Sequence, residues 1–230
     1  ANGVNGGCLS KHSDRLLEIM SDVLLNPVFP QEELDKSKKR AESGLASQKD
    51  DANAIAGIVA SVLRYGKDHP YGENMTEATL AKINLEQIKN HYNIYFKPNI
   101  SYLVVTGDVT KAQAEKQAKQ YFGKWAKGVV PTHNYGVPRA PEKTQVDFVH
   151  KAGAVQSVIN ITYPVDLQPG TPDVIPSRVT NTILGGYFNS RLNNNLREGH
   201  GWTYGSGSSL NPDKLVGSFN ASASVRNVVT

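Results

Sequence analysis

Along the first third of the chain, apolar side chains recur at the spacing of a helix with one wet face. Leu16, Leu17, Ile19, Met20, Val23 and Leu24 follow the 3.6-residue period. Ser13 is placed to cap this helix and Asn26-Pro27 to stop it. Pro30 opens a second helix, with Glu32 and Glu33 in the first turn, where the helix dipole favours negative charge. That helix is mostly polar and runs toward Asp50-Asp51. Ala52 to Tyr65 predicts a third helix, and Asn84 caps a fourth that carries Leu85, Ile88, Tyr92 and Tyr95.

The period then changes. Ile100 to Thr106 is a short, nearly continuous apolar run, the pattern of a buried strand. Gly107-Asp108 turns it, and Thr110 caps a helix ending near Phe122-Gly123. Residues 127–145 are rich in proline and glycine and have little periodicity, which marks a linker. Beyond it the pattern restarts with a strand over Ala154–Tyr163 and a helix over Pro172–Leu184, closed by Gly185-Gly186 as a C-cap. A short helix follows over Ser190–Leu196. Trp202–Leu210 and Leu215–Val225 then read as a hairpin around Asn211-Pro212-Asp213. In its last strand Phe219, Ala221, Ala223 and Val225 alternate with Ser218, Asn220, Ser222 and Ser224, so one face is buried and the other wet. The expected class is α+β with two lobes, 1–126 and 146–230.

Composition narrows the choices. The 230 residues include 39% hydrophobic and 20% charged positions, an ordinary globular balance. No apolar run approaches the roughly 18 residues of a membrane-spanning helix. The net charge is +4, but its densest patch, Lys36 to Arg40, follows Glu32, Glu33 and Asp35. That is a solvated helix face rather than a track for phosphates, so nucleic acid is not an expected partner. A single cysteine, Cys8, excludes an internal disulfide framework and a cysteine-rich metal site.

The candidate chemistry is thin by motif. His12, His69, His91, His133, His150 and His200 never lie four apart, so no helix presents two imidazoles to one metal. Neither H-E-x-x-H nor H-x-x-E-H occurs. His12 reads as a residue beside a helix start and His69, before Pro70, as a turn residue. Gly205-Ser-Gly-Ser-Ser matches a nucleophile elbow only loosely, and Gly185-Gly186 lacks the Gly-Lys-Ser/Thr of a phosphate loop.

The informative stretch is 184–204, with Gly185-Gly186, Ser190-Arg191-Leu192, Leu196-Arg197-Glu198, Gly201 and Tyr204 in order. Here the sequence resembles the second homologous domain of the pitrilysin/insulinase family of inverted-motif zinc peptidases. The resemblance extends upstream through Leu25-Asn-Pro-Val-Phe-Pro, His69-Pro-Tyr-Gly and Leu103-Val-Val-Thr-Gly-Asp. It implies two tandem peptidase-like lobes, each with helices packed on a mixed or antiparallel sheet, and both incomplete. It also implies that Arg197 and Tyr204 bind substrate. The guanidinium would hold an extended peptide backbone, and the phenol would steady the oxyanion formed as the peptide carbonyl is attacked.

The departures carry equal weight. The family's zinc is bound by H-x-x-E-H and a glutamate downstream on a helix. The histidine motif is expected before Ala1, and the register from Phe29-Pro30 puts the glutamate position at Gly44, which has no side chain to offer. Glu42 lies about 200° away around that helix. No catalytic or metal-ligating residue is therefore assigned, and no cofactor is expected in this chain; zinc belongs to an upstream domain or a paralogous subunit. The chain reads as an excised piece whose second lobe continues past Thr230. The expected partners are a peptide or protein substrate and that zinc-bearing partner. The alternative is a non-catalytic structural or assembly subunit of the same family, and a weaker one is an α+β binding module unrelated to proteolysis. The family alone points to a bacterial periplasm or envelope.

Overall fold

The computed structural model describes residues 3–230 and has an α+β fold, with helices and a small three-stranded antiparallel sheet. The chain forms two compact units. One comprises the chain up to Ala41 together with Ala78–His133, and the other Glu42–Glu77 with Asn134–Thr230.

The first unit is built from α1 (Ser13–Leu25), the start of α2 (Gln31–Asp50), most of α4 (Glu77–Lys82), α5 (Leu85–Tyr95) and α6 (Lys111–Phe122). Asn84 and Thr110 cap α5 and α6 through reciprocal bonds with Gln87 and Gln113, as an N-cap residue followed by Gln at the third position dictates. The amide of Gln117 on α6 donates to Ser13 Oγ at 3.0 Å and Asp14 Oδ1 at 3.1 Å at the start of α1. The Tyr92 hydroxyl donates to the Leu24 carbonyl at 2.6 Å, occupying an acceptor at the end of α1. The short α4 has no periodic signature, and Lys38 caps its C-terminal end by donating to the carbonyls of Ala81 and Ile83.

One expectation fails. Ile100–Thr106 forms no strand; a 3₁₀ turn occupies Pro98–Ile100 and the rest runs irregularly, with Tyr102 95% and Val104 80% exposed. A strand is stable only as one rung of a ladder, and among the described residues this run has no partner strand.

The second unit holds the sheet, in the order β1-β3-β2: β1 (Gln156–Val165), β2 (Thr203–Asn211) and β3 (Gly217–Arg226). β2 and β3 are the expected hairpin, and β1 pairs antiparallel with β3 along its whole length. Tyr163 lies opposite Phe219 and stacks on it at 5.0 Å. The helix α3 (Ala52–Tyr65) packs across β1, its N-terminus capped by Asp51, which accepts from the Asn53 amide. α7 (Val174–Asn181) and α8 (Arg191–Asn193) lie beside β2.

The hairpin tip is tied to the turn after α3. Asp213 Oδ1 accepts from the Tyr71 hydroxyl at 2.7 Å and from the backbone N–H of Leu215 at 2.8 Å. His69, buried in the same turn, accepts the Tyr71 N–H through Nδ1 and stacks on Tyr65. The hydrogen bond to Asp213 holds the Tyr71 phenol neutral, with burial second, and pushes its pKa up to about 12. Burial works to raise the Asp213 carboxyl, but the bonds from Leu215, Tyr71 and Val216 outweigh it and hold that carboxyl below the ordinary aspartate value.

The signs follow from linkage. The Tyr71 contribution is complete below pH 10.0 and is lost as pH rises through about 12. The Asp213 contribution is present above pH 3.8 and is lost as pH falls further. Tyr71 is 37% exposed, so solvent screening keeps the bond near the low end for a charge-assisted one. Tyr71→Phe is expected to cost about 1 kcal/mol at neutral pH and to flatten the loss between pH 10 and 12. Urea unfolding across pH measures both; an unchanged alkaline profile would remove the phenol from the account.

Candidate functional site

The segment carrying Arg197 is pressed by close backbone contact onto β2, the strand that carries Tyr204. α7 widens into a π-type turn over Thr182–Gly186. A Cβ on Gly185 would stand 2.5 Å from both the backbone N and the Oγ of Ser208, so only glycine fits. Beside it, Asn181 donates to the Ser208 carbonyl at 2.9 Å and accepts from the Ser208 hydroxyl at 2.8 Å. Neither Gly185 nor Gly186 has a positive φ. The pair is therefore not the left-handed C-cap expected from sequence; the constraint on Gly185 is proximity to the strand.

Buried Ser190 then caps α8, accepting from the Asn193 N–H at 3.4 Å. Buried Asn193 reaches both ways, donating to the Phe188 carbonyl at 2.8 Å and accepting from the Ser206 N–H at 3.2 Å. A second π-type turn, Asn194–Gly199, carries Arg197. The Arg197 guanidinium carbon lies 4.7 Å from the centre of the Phe188 ring, and Nε is 3.5 Å from Glu198 Oε1. The side chain is part-exposed, and the ion pair is long and wet, so the cation–π contact is what orients the guanidinium plane.

Tyr204 sits at a β-bulge. Thr203 faces Val225 and Ser206 faces Ala223, so β2 has one residue more than β3 over this interval. Buried Thr203 holds the bulge, donating to the Ser224 carbonyl at 2.7 Å and accepting from the Gly205 N–H at 3.2 Å. The Tyr204 side chain is 89% exposed and Tyr187 and Phe188 are also exposed. Neither Arg197 nor Tyr204 points into packed interior. Phe188 was not singled out from sequence, although an aromatic between the glycine pair and the arginine is visible there.

A second feature lies under α3. An open groove of about 570 Å³ separates α3 from the polar face of the sheet, lined by Asn53, Gly57, Arg64, Asn160, Ser206 and Asn220 among others. Gly205, next to Tyr204, lines it; Arg197 and Tyr204 do not.

The residues present do not fit a zinc ion. Among the described residues no group of three or more His, Cys, Asp and Glu is placed to hold a metal. Gly44 lies on an exposed part of α2, where even a Cβ would meet nothing within 4 Å, and Glu42 is exposed. Among the described residues no helix is long and apolar enough to cross a membrane.

The family model for the peptidase M16 inactive domain matches residues 82–229. Among curated proteins the chain is similar to the "uncharacterized zinc protease YmxG" of Bacillus subtilis, 26% identical over 199 residues, covering 85% of this chain and 47% of that protein. It is also similar to the "non-peptidase homolog YmxG" of Helicobacter pylori, 22% identical over 197 residues, covering 85% of this chain and 45% of that one. Among solved structures, the peptidase M16 inactive domain from Pseudomonas fluorescens superposes with a TM-score of 0.81 at 24% identity, covering 94% of this chain and 52% of that one. The chain thus spans about half the length of the curated relatives it matches.

The bulge gives a prediction. Thr203→Val keeps the side-chain shape and leaves the Ser224 carbonyl and the Gly205 N–H without the hydroxyl. Stability in urea unfolding is expected to fall by about 1–3 kcal/mol. An unchanged midpoint would mean that the bulge is held by ladder pairing alone.

Proposed function

The chain belongs to the peptidase M16 inactive-domain family, and on that premise we propose that it is the metal-free, substrate-gripping part of a zinc-dependent peptidase. In this reading Arg197 and Tyr204 act on a stretched peptide while zinc is held by another region of the protein or by a paralogous subunit. The Arg197 guanidinium donates to backbone carbonyls of the substrate, and its Phe188 stack keeps the donor fork in one plane. The Tyr204 hydroxyl donates to the oxyanion that develops when the peptide carbonyl is attacked, a role that requires a donor fixed in advance.

The observation that carries the proposal is the bulge. It lifts Tyr204 clear of the strand surface seven positions after an arginine that is itself stacked and part-exposed. A phenol left in solvent on a strand gains nothing for folding, whereas a phenol meant for a ligand must be left accessible. We read the chain further as two tandem peptidase-like lobes, 1–126 and 146–230, joined at 127–145. The boundary between compact units at His133/Asn134 falls inside that joint, although Glu42–Glu77 groups with the second unit through α3.

A second reading, a non-catalytic structural or assembly subunit, draws support from the Helicobacter pylori relative's name as a non-peptidase homolog. The two separate on one experiment with the complete protein and its zinc-bearing region or subunit. Arg197→Ala and Tyr204→Phe are each expected to lower kcat/KM for a model peptide by about 10²–10³, with circular dichroism unchanged. Full turnover in both variants would remove the pair from catalysis and favour the structural subunit.

A further inference from the structure

We propose that the groove between α3 and the sheet binds a carboxylate-bearing segment of extended polypeptide, with Arg64 as the counter-ion. This rests on the reading that the chain binds stretched peptides, and adds where the acidic group of such a peptide is recognised.

The groove arises from residue size. Asn53, Gly57, Ala60 and Arg64 follow the i, i+4, i+7, i+11 spacing of one helix face, and all four line the groove. Helices that cover sheets ordinarily interlock apolar side chains with them. Here the middle of the helix offers only a hydrogen and a methyl. The sheet opposes Asn160, Asn220, Ser222 and Ser224, the face expected to be wet from the strand alternation. The space left, about 570 Å³, is of the size that holds small ligands or a few residues of peptide.

Charge and hydrogen bonding select the occupant. Among the described residues, Arg64 is the one charged side chain that lines the groove. It touches its neighbour Tyr65: Nη1 donates to the hydroxyl at 3.5 Å and the guanidinium carbon lies 5.1 Å from the ring centre. Its Nε is shut off from water and has no hydrogen-bond partner among the described residues; the same holds for Ser206 Oγ. Two polar atoms without partners beside one groove are a standing cost to the fold. A guanidinium fork matches a carboxylate's two oxygens, and side-chain amides and hydroxyls match the donors and acceptors of a peptide backbone. A single cation balances one carboxylate; a phosphate group, nearer −2, calls for more.

Gly57 supplies the means to test this without unfolding the protein. A Cβ there meets nothing within 4 Å, and replacing a helical glycine raises helix propensity, so Gly57→Leu fills the groove while α3 stands. The probes are three acetylated tetrapeptides titrated into the chain by calorimetry: Ser-Gly-Asp-Gly amide, Ser-Gly-Asn-Gly with a free C-terminus, and Ser-Gly-Asn-Gly amide. The expected result is binding of at least one carboxylate peptide at least tenfold tighter than the neutral amide, the first two peptides telling side-chain from terminal carboxylate. Gly57→Leu and Arg64→Met should each weaken it at least tenfold, with melting temperature held in Gly57→Leu. Equal affinity for all three peptides, or indifference to Gly57→Leu and Arg64→Met, overturns the groove proposal. If Arg197→Ala alone abolishes binding, the groove is wrong and the substrate-gripping reading survives. No binding of any peptide by the folded chain counts against both.

Discussion

The candidate site depends on how closely two stretches of backbone approach each other. At Gly185 the turn after α7 touches β2 so tightly that a methyl group would collide with the backbone of Ser208. Asn181 doubles the contact by exchanging hydrogen bonds with the same residue through both its amide and its carbonyl. Everything downstream inherits this placement. Asn193, twelve residues on, makes a second tie, bridging the Phe188 carbonyl and the Ser206 N–H. Arg197 therefore stands on a segment pinned at two points to β2, the strand that carries Tyr204, which is how two side chains are held in register without being buried.

The two side chains are left accessible by different means. Arg197 emerges from a π-type turn, where one extra residue per turn alters the direction in which side chains leave, and a ring beneath it restrains the guanidinium. Tyr204 emerges from a bulge that Thr203 supports with a single hydroxyl. Both devices depart from regular structure, and such departures concentrate where a protein acts rather than where it merely folds.

The readable parts of the sequence were those governed by local rules. Caps at Asn84 and Thr110, the third helix over Ala52–Tyr65 and the hairpin about Asn211-Pro212-Asp213 need only neighbouring residues, and each is present. The alternation in β3 did not sort its faces by exposure: Ser218 is buried, and Ile159, Ile161 and Tyr163, opposite Ala223, Ala221 and Phe219, are exposed, because α3 stands across the polar face. Ile100–Thr106 has the composition of a buried strand but no ladder to join, because pairing is not a local property. The bulge at Tyr204 and the stack on Phe188 were hidden for a related reason: register and ring contacts are set by where other elements lie. The resemblance supplied Arg197 and Tyr204; only the fold shows what holds them.

The central claim is that these two residues meet a peptide which is cut by a metal held elsewhere. The most direct measurement is a crystal structure of the complete protein with its zinc-bearing part and an uncleaved peptide. The account predicts the Arg197 guanidinium on a peptide carbonyl and the Tyr204 hydroxyl within hydrogen-bond distance of the scissile carbonyl oxygen. A bound peptide that touches neither residue, or a subunit interface that covers both, would contradict it.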